Sequence, residues 1–544
     1  MSTLGLISFL IAISLSMMLI PILVRVAPSL GLVDEPGPRK VHHDVIPRVG
    51  GVAIFFGSIV PLLIWMPKTQ LLFALVAALT VLFLFGLWDD KSDINFRYKF
   101  LGQTAAAIII VYWGGLEIHH FPFVEDYGLP SSITKILTVI LLVGVTNAVN
   151  MADGLDGLAG GTSMLAIGCM SVAAYVANDA NAVVFGLALI GAILGFLRFN
   201  TYPARIFMGD SGSQLLGFCA GLMCILVTQQ SNTALSPMMA ILVLGLPLLD
   251  VFTVMAIRIS EGRSPFSADN NHIHHMFLGI GFSHREAVFI VYAIQIVLVL
   301  TAYLMRYASD FLLLAIYIAF CISLHLMIIL GKRRVDSTSS WVVESQRLLM
   351  KVGLSQDLGA FRGSAYYLIR FLFSIILVLG AVCLEDIPRD FGVLAAILLV
   401  MLIPTIVLRN QITSAIQRLC MYVTAGFVVY FMELSQQSGG VIANYLPLLF
   451  VIVGITVVFL IKKEGSSVRE FSSLDFLLLA LALIISIFPD AKIMDGIDAT
   501  MIIEIVVLFY AIDVLFNRRE RVEKTVLSSA IVVLALMAFR LIPI

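Results

Sequence analysis

The chain has 544 residues, 60% of them hydrophobic and only 13% charged, with a mean hydropathy of +1.02 and a formal net charge of −1. Soluble globular proteins carry about 25% charged residues, so a water-soluble fold is excluded, and the near-neutral balance argues against a nucleic-acid partner. Apolar runs of bilayer length recur from end to end, which predicts an all-α polytopic integral membrane protein.

In chain order, hydropathy places spans near residues 4–27, 49–66, 70–88, 99–114, 131–149, 158–177, 181–199, 212–230, 235–258, 286–306 and 310–331. The first lacks a basic flank and a small-residue cleavage site, and reads as a retained span. A polar stretch at 332–363 follows, headed by Lys332, Arg333 and Arg334. Seven further spans lie near 364–384, 391–408, 415–433, 441–461, 471–488, 499–516 and 525–541, about 18 in all. The expected division is a membrane domain over 1–335, a cytoplasmic linker over 336–363 and a multi-span extension over 364–544. With the N-terminus outside, all but six of the 34 Lys and Arg residues fall on the cytoplasmic side or its boundary. The six are Lys68, Lys135, Arg306, Arg389, Lys492 and Arg540, and so lopsided a split sets the orientation. The cysteines, all in apolar segments and without CxxC spacing, read as small core residues.

Five polar constellations precede residue 332, all at the cytoplasmic face in this topology. In DEPGPRKVHHDVIPRVGG (34–51) three prolines stiffen a basic loop carrying Arg39, Lys40, His42, His43 and Arg48, which reads as an ordinary positive-inside loop or as a lid over an anion. In DDKSDINFRYKFLGQ (89–103), Asp89, Asp90 and Asp93 stand beside Arg97 and Lys99; clustered carboxylates at a membrane boundary suit a magnesium–phosphate site, or else cap a helix end. In NAVNMADGLDGLAGG (147–161), Asn147, Asn150, Asp153 and Asp156 recur every third residue. Each lags its predecessor by roughly 60° on an ideal helix, so all four converge only if the segment tightens or unwinds, which Gly154 and Gly157 make cheap. RIFMGDSGS (205–213) sets Asp210 between glycines as a metal ligand or a plain helix cap. SADNNHIHHMF (267–277) supplies His272, His274 and His275, imidazoles suited to phosphate oxygens. Of the other histidines, His119 and His120 read as loop residues and His325 as a packing residue.

The order, spacing and shared side of DDxxD at 89–93, NxxNxxDGxDG at 147–157, MGDSGS at 208–213 and HIHH at 272–275 resemble the polyprenyl-phosphate N-acetylhexosamine-1-phosphate transferase family. The resemblance covers roughly residues 1–335. It implies transfer of a sugar-1-phosphate from a UDP-N-acetylhexosamine to undecaprenyl phosphate, with release of UMP and magnesium as cofactor (manganese as an alternative). By the same resemblance Asp210 is the first magnesium ligand, assisted by Asn150 or Asp153. Asp153 and Asp156 serve alternatively at the uridine side of the donor. Asp89 and Asp90 lie where the lipid phosphate arrives, with Asp89 as base or positioning group. His272, His274 and His275 with Lys99 hold the diphosphate, and Asn147 lines the donor site. The setting implied is a bacterial inner membrane with the active site facing the cytoplasm. Expected partners are both substrates, membrane lipid and, through the extension, downstream glycosyltransferases or an exporter; a homodimer is compatible with the chain. The competing reading, chiefly for 336–544, is a transporter or assembly scaffold for lipid-linked sugars. A transporter would gather polar residues at mid-span in symmetry-related halves, whereas here they gather at one face.

Overall fold

A computed structural model describes residues 2–35, 45–123, 129–264, 272–335, 359–382, 389–407, 411–436, parts of 449–456, 499–516 and 523–539. They fall into two compact units, one formed by the described residues up to Val335 and one by those from Gly359 onward. Both are helical. The one ladder among the described residues is a short antiparallel pair in the first unit, β1 (Val33–Asp34) with β2 (Ile46–Pro47).

The first unit comprises α1 (Ser2–Leu30), α2 (Gly50–Trp65), α3 (Gln70–Ser92), α4 (Phe96–Ile108), α5 (Ser131–Ala152), α6 (Leu158–Val176), α7 (Ala180–Asn200), α8 (Gly209–Leu226), α9 (Met239–Val243), α10 (Gly245–Ser260), α11 (Ile273–Gly279), α12 (His284–Leu304) and α13 (Asp310–Val335). Among the described residues, eight helices are long and apolar enough to cross a membrane, so the chain is a multi-pass helical membrane protein. The expected spans 441–461 and 471–488 lie wholly or largely outside the described residues.

α8 is the axis of this unit. It is buried from Ser211 to Leu226 and ringed by α2, α3, α5 and α6. A helix that is apolar or small-residued on every side has no solvent face to keep, and in a membrane its neighbours gain most from close van der Waals approach. The approach is tightest at its N-terminus, where a Cβ on Gly86 of α3 would collide with the Ser211 backbone.

The span expected at 235–258 is not one helix. It breaks at Leu244 into α9 and α10, because Pro247 has no N–H to give Val243. The orphaned Val243 carbonyl accepts instead from Gln295 Nε2 of α12 at 2.8 Å, and the Gly245 carbonyl accepts from Tyr317 Oη of α13 at 2.9 Å. Gln295 thus satisfies the one carbonyl that Pro247 leaves without a donor, and Tyr317 adds a tie from α13 to the first residue of α10.

The second unit holds helices at Gly359–Val382, Arg389–Leu402, Pro404–Val407, Gln411–Gln436, Ala499–Phe516 and Glu523–Phe539. Its core is apolar and aromatic, with the Phe391 ring 5.1 Å from both Phe427 and Phe431.

Candidate active site

α3 carries its apolar body into Asp89–Asp90–Lys91–Ser92 and ends on Asp93, whose left-handed backbone (φ 42°) returns its N–H to the Asp89 carbonyl. That ending turns Asp89 and Asp90 inward, at 3% and 5% exposure, and leaves Asp93 outside. Asp90 accepts from the Asp210 N–H (2.6 Å), the Ser211 N–H (3.1 Å) and the Ser211 hydroxyl (2.5 Å). It therefore caps α8 from a different helix, meeting the orphan N–H groups and the positive end of the helix dipole. Hydrogen bonds to a charged group are each worth about 1.5–3 kcal/mol. Both Asp90 oxygens are thus engaged by α8, which the spacing alone did not reveal.

Asp89 takes the other direction. It accepts from the Ile94 N–H at 2.8 Å and from Lys99 Nζ at 2.5 Å, and Lys99 also reaches Asp210 Oδ2 at 2.6 Å. One ammonium, set near the start of α4, joins carboxylates from two separate motifs. One turn further along both helices, Gln103 Nε2 donates to Gln214 Oε1 at 3.2 Å.

The ladder breaks where its spacing predicts. α5 ends at Ala152, the Asp153 N–H closes a tight turn on the Asn150 carbonyl, and Gly157 takes a positive φ of 83° before α6 begins. The four side chains do not all converge. Asn147 stays on the helix, its amide 3.9 Å from Met151 Sδ. Asn150 accepts from the Ser213 hydroxyl at 2.6 Å, which ties it to α8. Asp153 opens to solvent, and Asp156 accepts from the Ala204 N–H at 2.9 Å, in the loop leading to α8. His284 Nε2 accepts the Asp156 N–H at 3.0 Å, and Asn200 accepts the Gly157 N–H at 2.9 Å, so the turn is held from α12 and α7.

The histidine motif comes to the same turn. His272 Nδ1 lies 2.7 Å from Asp250 of α10, and the rings of His274 and His275 follow with centroids 4.3 Å apart. His274 is 3% exposed, and its Nε2 has no hydrogen-bond partner among the described residues. It rests on Gly154, where a Cβ would stand 2.5 Å from His274 Cε1. Gly154 is therefore needed for close approach, while the backbone freedom expected of it is used at Gly157.

Burial first, then His275, His272 and His284, pushes His274 down to about 3. The unfolded chain takes up that proton near pH 6.5, so acidification from about 6.5 towards about 3 favours unfolding. The thermal midpoint is expected to fall with pH over this window, and to fall less steeply in His274→Gln. Equal slopes in the two proteins would place the acid sensitivity elsewhere.

Arg48 pairs with Asp34 and approaches Asp93 at 3.5 Å, while Arg39, Lys40, His42 and His43 lie outside the described residues. His325 is satisfied by Thr253 and the Cys321 carbonyl. The carboxylate and amide oxygens of Asp210, Asn150 and Asp153 are of the donor type a hard cation takes, amid a local excess of negative charge, although among the described residues no three His, Cys, Asp or Glu side chains stand close enough to share an ion. Asp153 registers that excess. Its carboxyl is pushed up to about 7 by the protein mass around it and then by Asp210, Asp156 and Asp90.

Sequence reasoning passed over Asp250, Asn200 and His284. Asp250 had a usable signal, a lone carboxylate inside an apolar span. The other two are legible only through their partners.

The glycosyl transferase family 4 model matches residues 72–228, a range that contains Asp89, Asp90, Lys99, the ladder and Asp210. The chain is 34% identical over 326 residues to a probable undecaprenyl-phosphate N-acetylglucosaminyl 1-phosphate transferase of Bacillus subtilis, covering 59% of this chain and 90% of that relative. It is 32% identical to the undecaprenyl-phosphate alpha-N-acetylglucosaminyl 1-phosphate transferase of Yersinia pestis, covering 49% of this chain and 75% of that protein. The enzyme of that name in Escherichia coli K12 is 31% identical, with 49% and 74% covered. By that extent of likeness the chain belongs to the undecaprenyl-phosphate N-acetylglucosaminyl 1-phosphate transferases of glycosyl transferase family 4.

Proposed function

We propose that this protein transfers an N-acetylhexosamine-1-phosphate from its UDP-sugar to undecaprenyl phosphate, releasing UMP and starting a lipid-linked cell-surface glycan. The observation that carries this reading is the Asp89–Lys99–Asp210 cluster, two acids of separate motifs on one ammonium, set at the capped N-terminus of α8. An oxygen of the lipid phosphate attacks the sugar-linked phosphorus, and the bond from that phosphorus to UMP breaks. Both partners are anions, so the barrier is mainly one of charge and alignment.

Asp210, with Asn150 or Asp153, would hold the magnesium ion. Bound there, it supplies a Lewis acid that offsets the charge of the diphosphate. Lys99 and the histidines bind the diphosphate, and Asp156 with Asn147 borders the nucleoside side. The lipid phosphate is largely ionised near neutral pH, since a second phosphate pKa lies at about 6. Asp89 therefore serves by positioning, through Lys99, more than by removing a proton. Asp90 keeps Asp210 in place.

We read the setting as a bacterial inner membrane, with the N-terminus outside, the site facing the cytoplasm, and about 18 spans divided between residues 1–335 and 364–544. Residues 336–544 act as an assembly module that docks a later glycosyltransferase or exporter. The test is UMP release by purified full chain from UDP-N-acetylglucosamine, undecaprenyl phosphate and magnesium, beside a chain ending at residue 335. Turnover by both is expected. No UMP from the full chain refutes the transferase reading, and an inactive but folded short chain refutes a purely docking role for the extension.

A further inference from the structure

Asp250 is 3% exposed in α10, an apolar helix of a membrane protein. A buried carboxylate without partners costs several kcal/mol, so its hydrogen bonds deserve an account. Oδ1 accepts the Ile273 N–H at 2.6 Å, at the start of α11, and Oδ2 lies 2.7 Å from His272 Nδ1. An ionised carboxylate only accepts, so Nδ1 carries the hydrogen and the His272 tautomer is set by this contact. His272 is itself 8% exposed, and its ring runs nearly parallel to that of His274, 5.5 Å away. The break at Leu244 matters here, because it starts α10 anew five residues before Asp250.

We propose that Asp250 is a positioning residue for the transfer reaction: it fixes the tautomer and direction of His272, so that His272 Nε2 meets the diphosphate of the donor. The inference rests on the transferase reading above. With Nδ1 held on the Asp250 carboxylate, Nε2 is the ring atom left to face the ligand, and the charged form of the ring donates from both nitrogens, one to Asp250 and one to a diphosphate oxygen. The carboxylate thus has two separable tasks. Capping α11 through Ile273 is structural, and orienting His272 is chemical.

Asp250→Asn separates them. The amide oxygen still accepts the Ile273 N–H, but its NH2 faces Nδ1 and imposes the opposite tautomer. In the full chain, with UMP release as the readout, Asp250→Asn and His272→Asn are each expected to lower kcat about 10–100-fold. KM for UDP-N-acetylglucosamine should move far less, and both variants should change the pH profile of kcat in the same way. The double variant should be no slower than the slower single, since two residues acting as one unit are not additive. Should Asp250→Asn fail to fold, Asp250→Glu is compared with Asp250→Ala, and the charged variant is expected to be the faster. Additive losses, an Asp250→Asn rate within about twofold of wild type, or equal Glu and Ala rates overturn the proposal. Wild-type protein that releases no UMP refutes the proposed function and this inference together, whereas an active wild type with additive variants overturns this inference alone.

Discussion

Asp210→Asn is expected to reduce UMP release by on the order of 10²–10³-fold or more, while the protein keeps its thermal midpoint. The substitution keeps the side-chain shape and the backbone N–H that Asp90 accepts at 2.6 Å. It removes the charge that Lys99 meets at 2.6 Å. The loss should therefore fall on chemistry and cation binding and leave the fold intact. Binding of Mn2+, followed by its electron paramagnetic resonance signal, should weaken in parallel. A variant that turns over at a near-normal rate would remove Asp210 from the metal site, and with it the argument that α8 is capped in order to present this residue.

Gly154→Ala should be as damaging by another route. The new methyl would meet the His274 ring, with Cε1 at 2.5 Å and Cδ2 at 3.0 Å. His274 is buried and cannot swing aside as a flexible surface chain would. Overpacking of this kind costs about 1–3 kcal/mol, and relief comes only by separating the histidine motif from the ladder. Both the thermal midpoint and kcat are expected to fall. Gly144→Ala is the matched control, since nothing lies within 4 Å of its Cβ and alanine gains about 0.5–1 kcal/mol in a helix interior. If Gly154→Ala behaves like Gly144→Ala, the two motifs do not interlock as described.

Much of the site is legible in the sequence, though unevenly. The break after Ala152 followed from the three-residue spacing of polar groups and the nearby glycines, because helix periodicity is a local property of the backbone. Unwinding was the condition for the four ladder residues to converge, and the segment does unwind, yet Asp156 turns to Ala204 while Asn147 remains beside Met151. A turn can be read from spacing, but the way each side chain leaves it depends on which donors the neighbouring helices bring. The single span expected at 235–258 missed the break at Leu244. Hydropathy registers apolar surface and is insensitive to one missing N–H, although Pro247 was in view.

The sequence by itself determined the class of molecule, its one-sided polar clusters and the place where the ladder must break. These follow from the cost of moving charge into hydrocarbon and from backbone periodicity, which act over a few residues. Only the tertiary structure decided who meets whom. Lys99 lies 111 positions from Asp210 and Asp90 lies 120 from it, and they meet because α3 packs against α8 and the Lys99 and Gln103 side chains of α4 reach across to it. Asp250 reaches His272 across 22 positions because α10 restarts at a proline-induced break. Such pairings depend on helix packing over the whole unit, where many arrangements satisfy the same local rules and one minimises unpaired buried charge.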